Sequence, residues 1–278
     1  MAGRGLGIIA GGGELPRAIA TSARAHARAV FVLALQAVTG DWVKDFPHAW
    51  VSIGQIGKTI SLLRNHGCRE VVLAGYVSRP NLCTLKYDAK GLSWLVPVLW
   101  AMRRGDNTLL DAMVRLLESE GLDVKGVADV APWLQIPSGP LGRISPRPED
   151  EADIAFAMAA ARKQGKLDVG QAVVASEGRI LAIEGHDGTD EMLAKLRNLP
   201  ATERGSSGRG VLAKALKPMQ DRKTDLPTIG VKTVEYAAAA GLAGIAVEAQ
   251  TALVLDHAAV AKAADAHGIF VTGVAIPS

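Results

Sequence analysis

Apolar runs of strand length alternate with helix-length segments almost from the first residue, which predicts an α/β protein with parallel strands. A stretch carrying five prolines, Ala131–Asp150, interrupts that alternation near the middle of the chain. The chain also has 278 residues, more than one hydrophobic core usually serves. Together these predict two α/β domains. The first, over 1–130, is a Rossmann-like parallel sheet with flanking helices. A proline-rich linker over 131–150 leads to a smaller mixed α/β domain over 151–278.

Leu6–Ala10 is the first strand, followed by Gly11-Gly12-Gly13 and a helix through Arg17–Ala29 with Pro16 in its first turn. Strand, glycine turn and helix bring backbone N–H groups toward an anion at a helix N-terminus. The spacing is not the dinucleotide fingerprint, because Pro16 stands where a glycine is required. Val30–Leu35 and Arg69–Val77 read as further strands, with Gly54–Gly57 and a helix through Leu63 between them. Tyr76–Asn81 leaves a strand at the end where ligands of open α/β sheets collect, which makes Arg79 a candidate phosphate contact. Gly91–Met102 contains Trp94 and Trp100 and suits either a core helix or an apolar wall for acyl chains. Leu109–Gly121 is an amphipathic helix closed by glycine, and Val124–Val130 reads as the last strand of this domain.

The second domain opens on the helix Glu149–Lys166. Strands Gln171–Ser176 and Arg179–Gly185 are joined by Glu177-Gly178, a hairpin signal. Glu184 to Asp190 then gathers acids and His186 before a helix at Glu191–Arg197, with Thr189 or Asp190 suited to cap it. Helices at Thr233–Ala240 and Ala258–Ala266, with strands at Gly244–Ala249, Ala252–Leu255 and Ile269–Val274, complete the domain.

Composition narrows the function. The residues are 49% hydrophobic, with a net charge of +3. That balance speaks against a dedicated nucleic-acid binder, which needs a concentrated basic face. Cys68 and Cys83 define neither a disulfide framework nor a zinc site, and fit a reducing compartment. No signal peptide pattern opens the sequence, and no apolar run reaches the ~18–20 residues that span a bilayer. The expectation is a cytoplasmic protein, at most peripheral to a membrane. The remaining five histidines are scattered singly and carry no ligand spacing.

The stretch Gly205–Gly230 carries the chemistry. Arg209, Lys214, Lys217, Asp221, Arg222, Lys223 and Asp225 crowd into it, and Pro218 and Pro227 forbid one continuous helix. Cations of this kind suit phosphate oxygens, and carboxylates suit Mg²⁺ or a proton. Val211 stands where a Walker loop needs lysine, and no Gly-x-Ser-x-Gly elbow occurs. Metal-assisted chemistry on a phosphoryl or pyrophosphoryl group remains. Two other classes stay open: a nucleotide-sugar or lipid-binding module without catalysis, and a nicotinamide-dependent oxidoreductase. The oxidoreductase lacks both the glycine spacing and an acid at Leu35-Gln36 for a ribose.

IAGGGELP (Ile9–Pro16), GQIGK (Gly54–Lys58), GYVSRP (Gly75–Pro80), RRGDNTLL (Arg103–Leu110), AIEGHDGTDEML (Ala182–Leu193), KALKPMQDRKTDLPTIG (Lys214–Gly230) and GLAGIAVEAQ (Gly241–Gln250) cover nearly the whole chain. In these segments the sequence resembles the LpxI-type UDP-2,3-diacylglucosamine pyrophosphatases of lipid A synthesis. The resemblance implies cytoplasmic hydrolysis of UDP-2,3-diacylglucosamine to UMP and 2,3-diacylglucosamine 1-phosphate by two α/β domains, with Mg²⁺ or another divalent cation. Catalytic work then falls to Asp225, Lys217, Asp221 and Arg222, with Asp225 and Asp221 on the metal. Substrate contacts fall to Gly11, Gly12, Gly13, Gln55, Arg79, Gly188, Thr189, Lys214, Gln220 and Thr228. The glycine turn and the charged loop are expected to share one cleft. Peripheral contact with the cytoplasmic face of the inner membrane and a homodimer are compatible with it. Asn107 and Lys223 depart from the expected pattern, so neither receives a role.

Asp225→Ala separates a catalytic carboxylate from a turn cap. The expected outcome is a folded protein that binds the UDP-lipid and barely hydrolyses it, whereas loss of a cap alone costs ~1 kcal/mol and spares turnover. Thermal unfolding paired with UMP release decides between them.

Overall fold

The computed structural model describes residues 5–77, 85–102, 106–165, 170–185, 187–200, 209–216 and 226–275, except for the side chains at 96, 97, 99, 101, 102 and 106–109. Two compact units divide between Pro132 and Trp133. Both are α/β, as the alternation of apolar runs predicts.

In the first unit β1 (Gly5–Ala10) leads into α1 (Leu15–Ala25), and β2 (Val30–Leu35) passes through a short 3₁₀ turn, Asp41–Asp45, to β3 (His48–Val51). Then follow α2 (Ile56–Asn65), β4 (Cys68–Ala74), α3 (Ala89–Met102), α4 (Asp106–Ser119), β5 (Asp123–Val124) and α5 (Val127–Val130). The five strands lie in the order β3-β2-β1-β4-β5 and every pairing is parallel. Strands covered on both faces must be apolar throughout. β2, VFVLAL, is buried at every position after Val30. Pro16, Ile19, Ala20 and Ala23 form the buried stripe of α1.

Three local expectations change. β3 is too short and too mixed, HAWV, to be legible alone, and exists through its pairing with β2. Val124–Val130 is not one strand: only Asp123 and Val124 pair with β4. The chain then turns at Gly126, whose N–H donates to the Asp129 carboxylate at 3.0 Å, and α5 begins. Trp94 is 8% exposed and belongs to the core with Val114, Leu117 and Leu122, so it forms no acyl-chain wall, whereas Trp100 is 56% exposed.

Asp88 joins two helices. Its Oδ2 accepts from Lys58 N–H in the first turn of α2 at 2.9 Å, and its Oδ1 from Gly91 N–H in the first turn of α3 at 2.8 Å. The backbone approach there is so close that a Cβ at Gly91 would lie 1.8 Å from the Gly54 carbonyl oxygen. Burial pushes the Asp88 carboxyl up, but amide bonds from Gly91, Lys58, Gly57 and Lys90 outweigh it and hold the pKa below its ordinary value.

The second unit begins with a 3₁₀ turn at its border, Pro132–Leu134, and β6 (Gly139–Pro140). It continues through α6 (Pro148–Gly165), β7 (Ala172–Ser176), β8 (Arg179–Ile183), α7 (Gly188–Arg197), β9 (Val211–Lys214) and β10 (Thr228–Ile229). α8 (Val231–Ala239), β11 (Gly244–Glu248), β12 (Leu253–Val254), α9 (His257–His267) and β13 (Phe270–Val274) complete it. Six strands form a mixed sheet in the order β6-β13-β11-β9-β7-β8, with β9, β11 and β13 parallel, and β10 pairs with β12 separately. From Trp133 onward the proline-rich stretch is part of this unit: Gly139–Pro140 pairs antiparallel with β13 at the sheet edge.

α6 packs on one face of the sheet, through Ile154, Ala157 and Met158 against Val173, Val211 and Phe270. The other three helices cover the opposite face, with Leu193, Val234 and Val260 against Leu212, Ile245 and Val271. The Glu177-Gly178 hairpin forms as expected, with both residues at positive φ (52° and 72°), the geometry of a type I′ turn. Asp153 of α6, 2% exposed, accepts both turn amides at 3.0 and 3.1 Å. No described helix is long and apolar enough to cross a membrane.

Asp88→Ala removes an acceptor shared by two helix starts and should cost about 1–2 kcal/mol at pH 7. Because the folded pKa is depressed, that stabilisation is present above the ordinary value of 3.8 and is lost as pH falls through the lower folded value. Urea unfolding should therefore show the gap between wild type and variant closing in strong acid.

Candidate functional site

In the first sheet the connections run from β1 outward to β2 on one side and from β3 across to β4 on the other. The strand ends of β1 and β4 therefore flank a switch point, where ligands of open α/β sheets bind. Gly11–Gly13 leave β1 here and Gly75-Tyr76 leave β4. The two exits are hydrogen-bonded to each other: Gly12 N–H to Tyr76 O at 2.8 Å, Tyr76 N–H to Gly12 O at 3.1 Å, and Gly11 N–H to Ala74 O at 2.8 Å. A Cβ at Gly11 would stand 2.5 Å from Tyr76 O, and one at Gly75 2.4 Å from Gly12 O. Tyr76, 66% exposed, lays its ring against Gly12, where a Cβ would come within 2.6 Å of it.

These contacts alter the reading of the triple glycine. The amides of Gly11 and Gly12 are engaged inside the fold, so they are not the donors that a bound anion would meet. Their lack of side chains serves the close approach of two loops. Gly13, at φ +86°, turns the chain into α1, whose N-terminus no side chain caps. Behind the turn, the Thr39 hydroxyl accepts from Leu35 N–H at 2.9 Å and donates to Ala10 O, tying the ends of β1 and β2 together. Gln55 holds the N-cap position of α2, and its Oε1 accepts from Ser52 N–H at 3.0 Å.

In the second unit, β9 ends at Lys214, which is 6% exposed, beside Val247 of β11. Its ammonium donates to the Thr228 carbonyl oxygen at 3.0 Å, where β10 begins. The Thr228 hydroxyl donates to Leu226 O at 3.0 Å. One lysine therefore closes the base of the charged segment, joining its first strand to its last. Glu248 at the end of β11 accepts from Leu216 N–H at 3.3 Å, and Arg162 of α6 stands 4.0 Å away. A buried ammonium, a carboxylate and the two ends of a charged segment thus share the C-terminal edge of β9 and β11.

Glu184, 8% exposed, is occupied from three sides. Its Oε2 accepts from Gln171 N–H at 2.8 Å and Ala172 N–H at 3.1 Å, and its Oε1 from the Thr189 hydroxyl at 2.5 Å. Drawn onto Glu184, Thr189 does not cap α7. Neither does Asp190: the N-cap position is Asp187, and Gly188 begins the helix at φ +85°. Asp187 pairs with Lys195 at 2.9 Å.

Lys217, Gln220, Asp221, Arg222 and Asp225 lie outside the described residues, as do Arg79 and His186. Among the described residues no group of three or more His, Cys, Asp or Glu gathers as a metal site. Sequence reasoning missed Asp88, Tyr76, Thr39 and Glu248. An Asp directly before α3 is a legible cap signal, but the other three acquire meaning only through long-range contacts.

Comparison with known proteins covers both units. Residues 5–134 match the family model of the LpxI N-terminal domain, and residues 137–272 that of the LpxI C-terminal domain. The chain is 46% identical over 273 residues to the UDP-2,3-diacylglucosamine pyrophosphatase LpxI of Caulobacter vibrioides, an alignment that covers 98% of each protein.

Thr189→Val tests whether that hydroxyl is structural or touches substrate. Removing a donor from buried Glu184 should cost about 1–3 kcal/mol of stability and leave KM unchanged. A raised KM with unaltered thermal unfolding would put the hydroxyl on the substrate instead.

Proposed function

The chain belongs to the LpxI family, and from that premise we propose that it hydrolyses the pyrophosphate of UDP-2,3-diacylglucosamine, giving UMP and 2,3-diacylglucosamine 1-phosphate. The observation that carries this is identity of 46% over 98% of a relative bearing that activity in its name. In the reaction, water oxygen adds to one phosphorus, the bridging P–O bond breaks, and a proton passes from the water to a base.

Asp225 is the residue proposed to hold or receive that proton, and Asp221 the second carboxylate beside it in sequence. Both are hard oxygen donors, the ligand type that Mg²⁺ prefers, so the donor set fits the ion. When bound, such a cation lowers the pKa of a water and offsets phosphoryl charge. Lys217 and Arg222 are assigned to the pyrophosphate oxygens, where fixed cations are worth most as charge develops. Lys214 acts at the base of the same segment. Its bond to the Thr228 carbonyl fixes where the intervening residues start and finish, and its buried charge adds to the positive potential there.

At the other strand edge, Gly13, the first turn of α1, Gln55 and Arg79 are assigned to the remaining polar groups of the substrate. Gly11 and Gly12 serve by letting the β1 and β4 exits close on each other. Gly188 and Gln220 complete the proposed contacts, and Thr189 serves the fold by holding Glu184. A doubly acylated substrate resides at a lipid surface, which supports work at the cytoplasmic face of the inner membrane. Leu92 and Trp100 of α3, 57% and 56% exposed, suit such a surface.

Incubation with UDP-2,3-diacylglucosamine should release UMP and the acylated sugar phosphate. EDTA should abolish release and added Mg²⁺ restore it. Binding without UMP release under any divalent cation would make the protein a lipid-nucleotide binder instead.

A further inference from the structure

Between β8 and α7, within the second unit, lies a cavity of about 300 Å³. Leu181, Ala182 and Ile183 line it from the strand, and Met192, Leu196 and Leu199 from the helix and the residues that follow. Charge is confined to Asp187 and Lys195, which pair with each other at 2.9 Å. A regular edge strand turns alternate residues to opposite faces. Here the register slips between Val174 and Ala175, so that Ala175 faces Ile180 and Val174 faces Ala182, leaving Leu181 as the extra residue of a bulge. Leu181 and its neighbour Ala182 therefore pack against the same core cluster, giving a more apolar wall than alternation allows. Ile183 and Ile180, 43% and 46% exposed, pair with Val173 and Ala175 and so turn their side chains to the α6 face, leaving Leu181 and Ala182 as the side-chain wall from the strand.

We propose that this cavity seats one acyl chain of the substrate, resting on the hydrolysis reading above. A nucleotide or sugar needs convergent polar groups in its pocket, and these walls supply aliphatic carbon. The relative's substrate, by its name, carries two acyl chains. Gly188, in the motif of the proposed site, lies on the cavity wall. Trp94, the sequence's own candidate for an acyl wall, is consumed by the core of the first unit. Leu181, Ala182 and Leu199 thereby become determinants of chain-length preference.

The test compares UDP-2,3-diacylglucosamine carrying butanoyl chains with the same substrate carrying tetradecanoyl chains. Burial of each methylene is worth about fourfold, so a seat that buries roughly three or four more methylenes of the tetradecanoyl chain favours that substrate in kcat/KM on the order of 10². Ala182→Phe fills the cavity. It should cut kcat/KM for the tetradecanoyl substrate by about tenfold or more, since it displaces several methylenes, and leave the butanoyl substrate unchanged. A folded Ala182→Phe protein that keeps the wild-type ratio of long to short overturns the proposal. Should that variant fail to fold, Leu199→Ser at a half-buried lining position decides by the same ratio, with a smaller loss expected and an unchanged ratio overturning it. If wild type releases UMP from neither substrate, the hydrolysis reading fails by itself. The cavity is then judged by dansyl-undecanoic acid fluorescence: binding by wild type that Leu199→Ser weakens sustains an acyl seat, and no binding or equal binding refutes it.

Discussion

Parallel pairing at the centre of both sheets is the constraint on which the rest depends. Parallel neighbours cannot be joined by a tight turn, so each pair needs a crossover that covers a sheet face. The covered strands must then be apolar along their length, as β2 is throughout and β9 is up to its terminal Lys214. All such strands finish at one edge, which gathers the connecting loops there. Adjacent strands lie only about 4.8 Å apart, so loops leaving β1 and β4 side by side have almost no room. Gly11, Gly12 and Gly75 occupy that space, and Tyr76 packs over it.

Carboxylates repeatedly pin backbone in this protein. Asp88 holds two helix starts, Asp153 a hairpin turn, and Glu184 the entry to β7. Asp265 of α9 similarly accepts from the Arg143 amide at 2.8 Å and its guanidinium at 2.9 Å. An ionised carboxylate accepts several N–H bonds at once and makes each stronger than a neutral acceptor would. Such residues resemble catalytic acids in sequence, because Asp and Glu beside glycine mark both turns and sites. Their donors distinguish them: each of these carboxylates accepts from amides, hydroxyls or a guanidinium of the fold.

The charged segment is governed by a different device. Its two ends are a β9 lysine and a β10 threonine, fourteen residues apart, joined by one hydrogen bond. Closing a loop of that length costs conformational entropy, and the sheet contacts of Lys214 and Thr228 supply the fixed ends that offset it. The lysine contributes twice, as a structural donor and as a buried positive charge at an edge where an anionic substrate is proposed to sit.

Much of this was legible in order along the chain. Apolar runs marked most strands because burial on both faces permits few other residues, and the Glu177-Gly178 signal marked a hairpin because its backbone angles suit few pairs. The density of Lys, Arg and Asp at 214–225, together with the motifs around it, pointed to pyrophosphate chemistry and to the family to which the chain belongs. What the sequence could not determine was the use of each polar group. The triple glycine reads equally as an anion cradle or as a tight crossing, and only the neighbouring Ala74 and Tyr76 carbonyls settle where two of its amides go. Thr189 reads as a cap until Glu184 is placed beside it. The bulge that lets Leu181 and Ala182 share one wall is invisible in a strand of ordinary composition. Sequence patterns report what a residue prefers locally. Which donor meets which acceptor depends on pairings between positions far apart in the chain, and only the tertiary structure decides those.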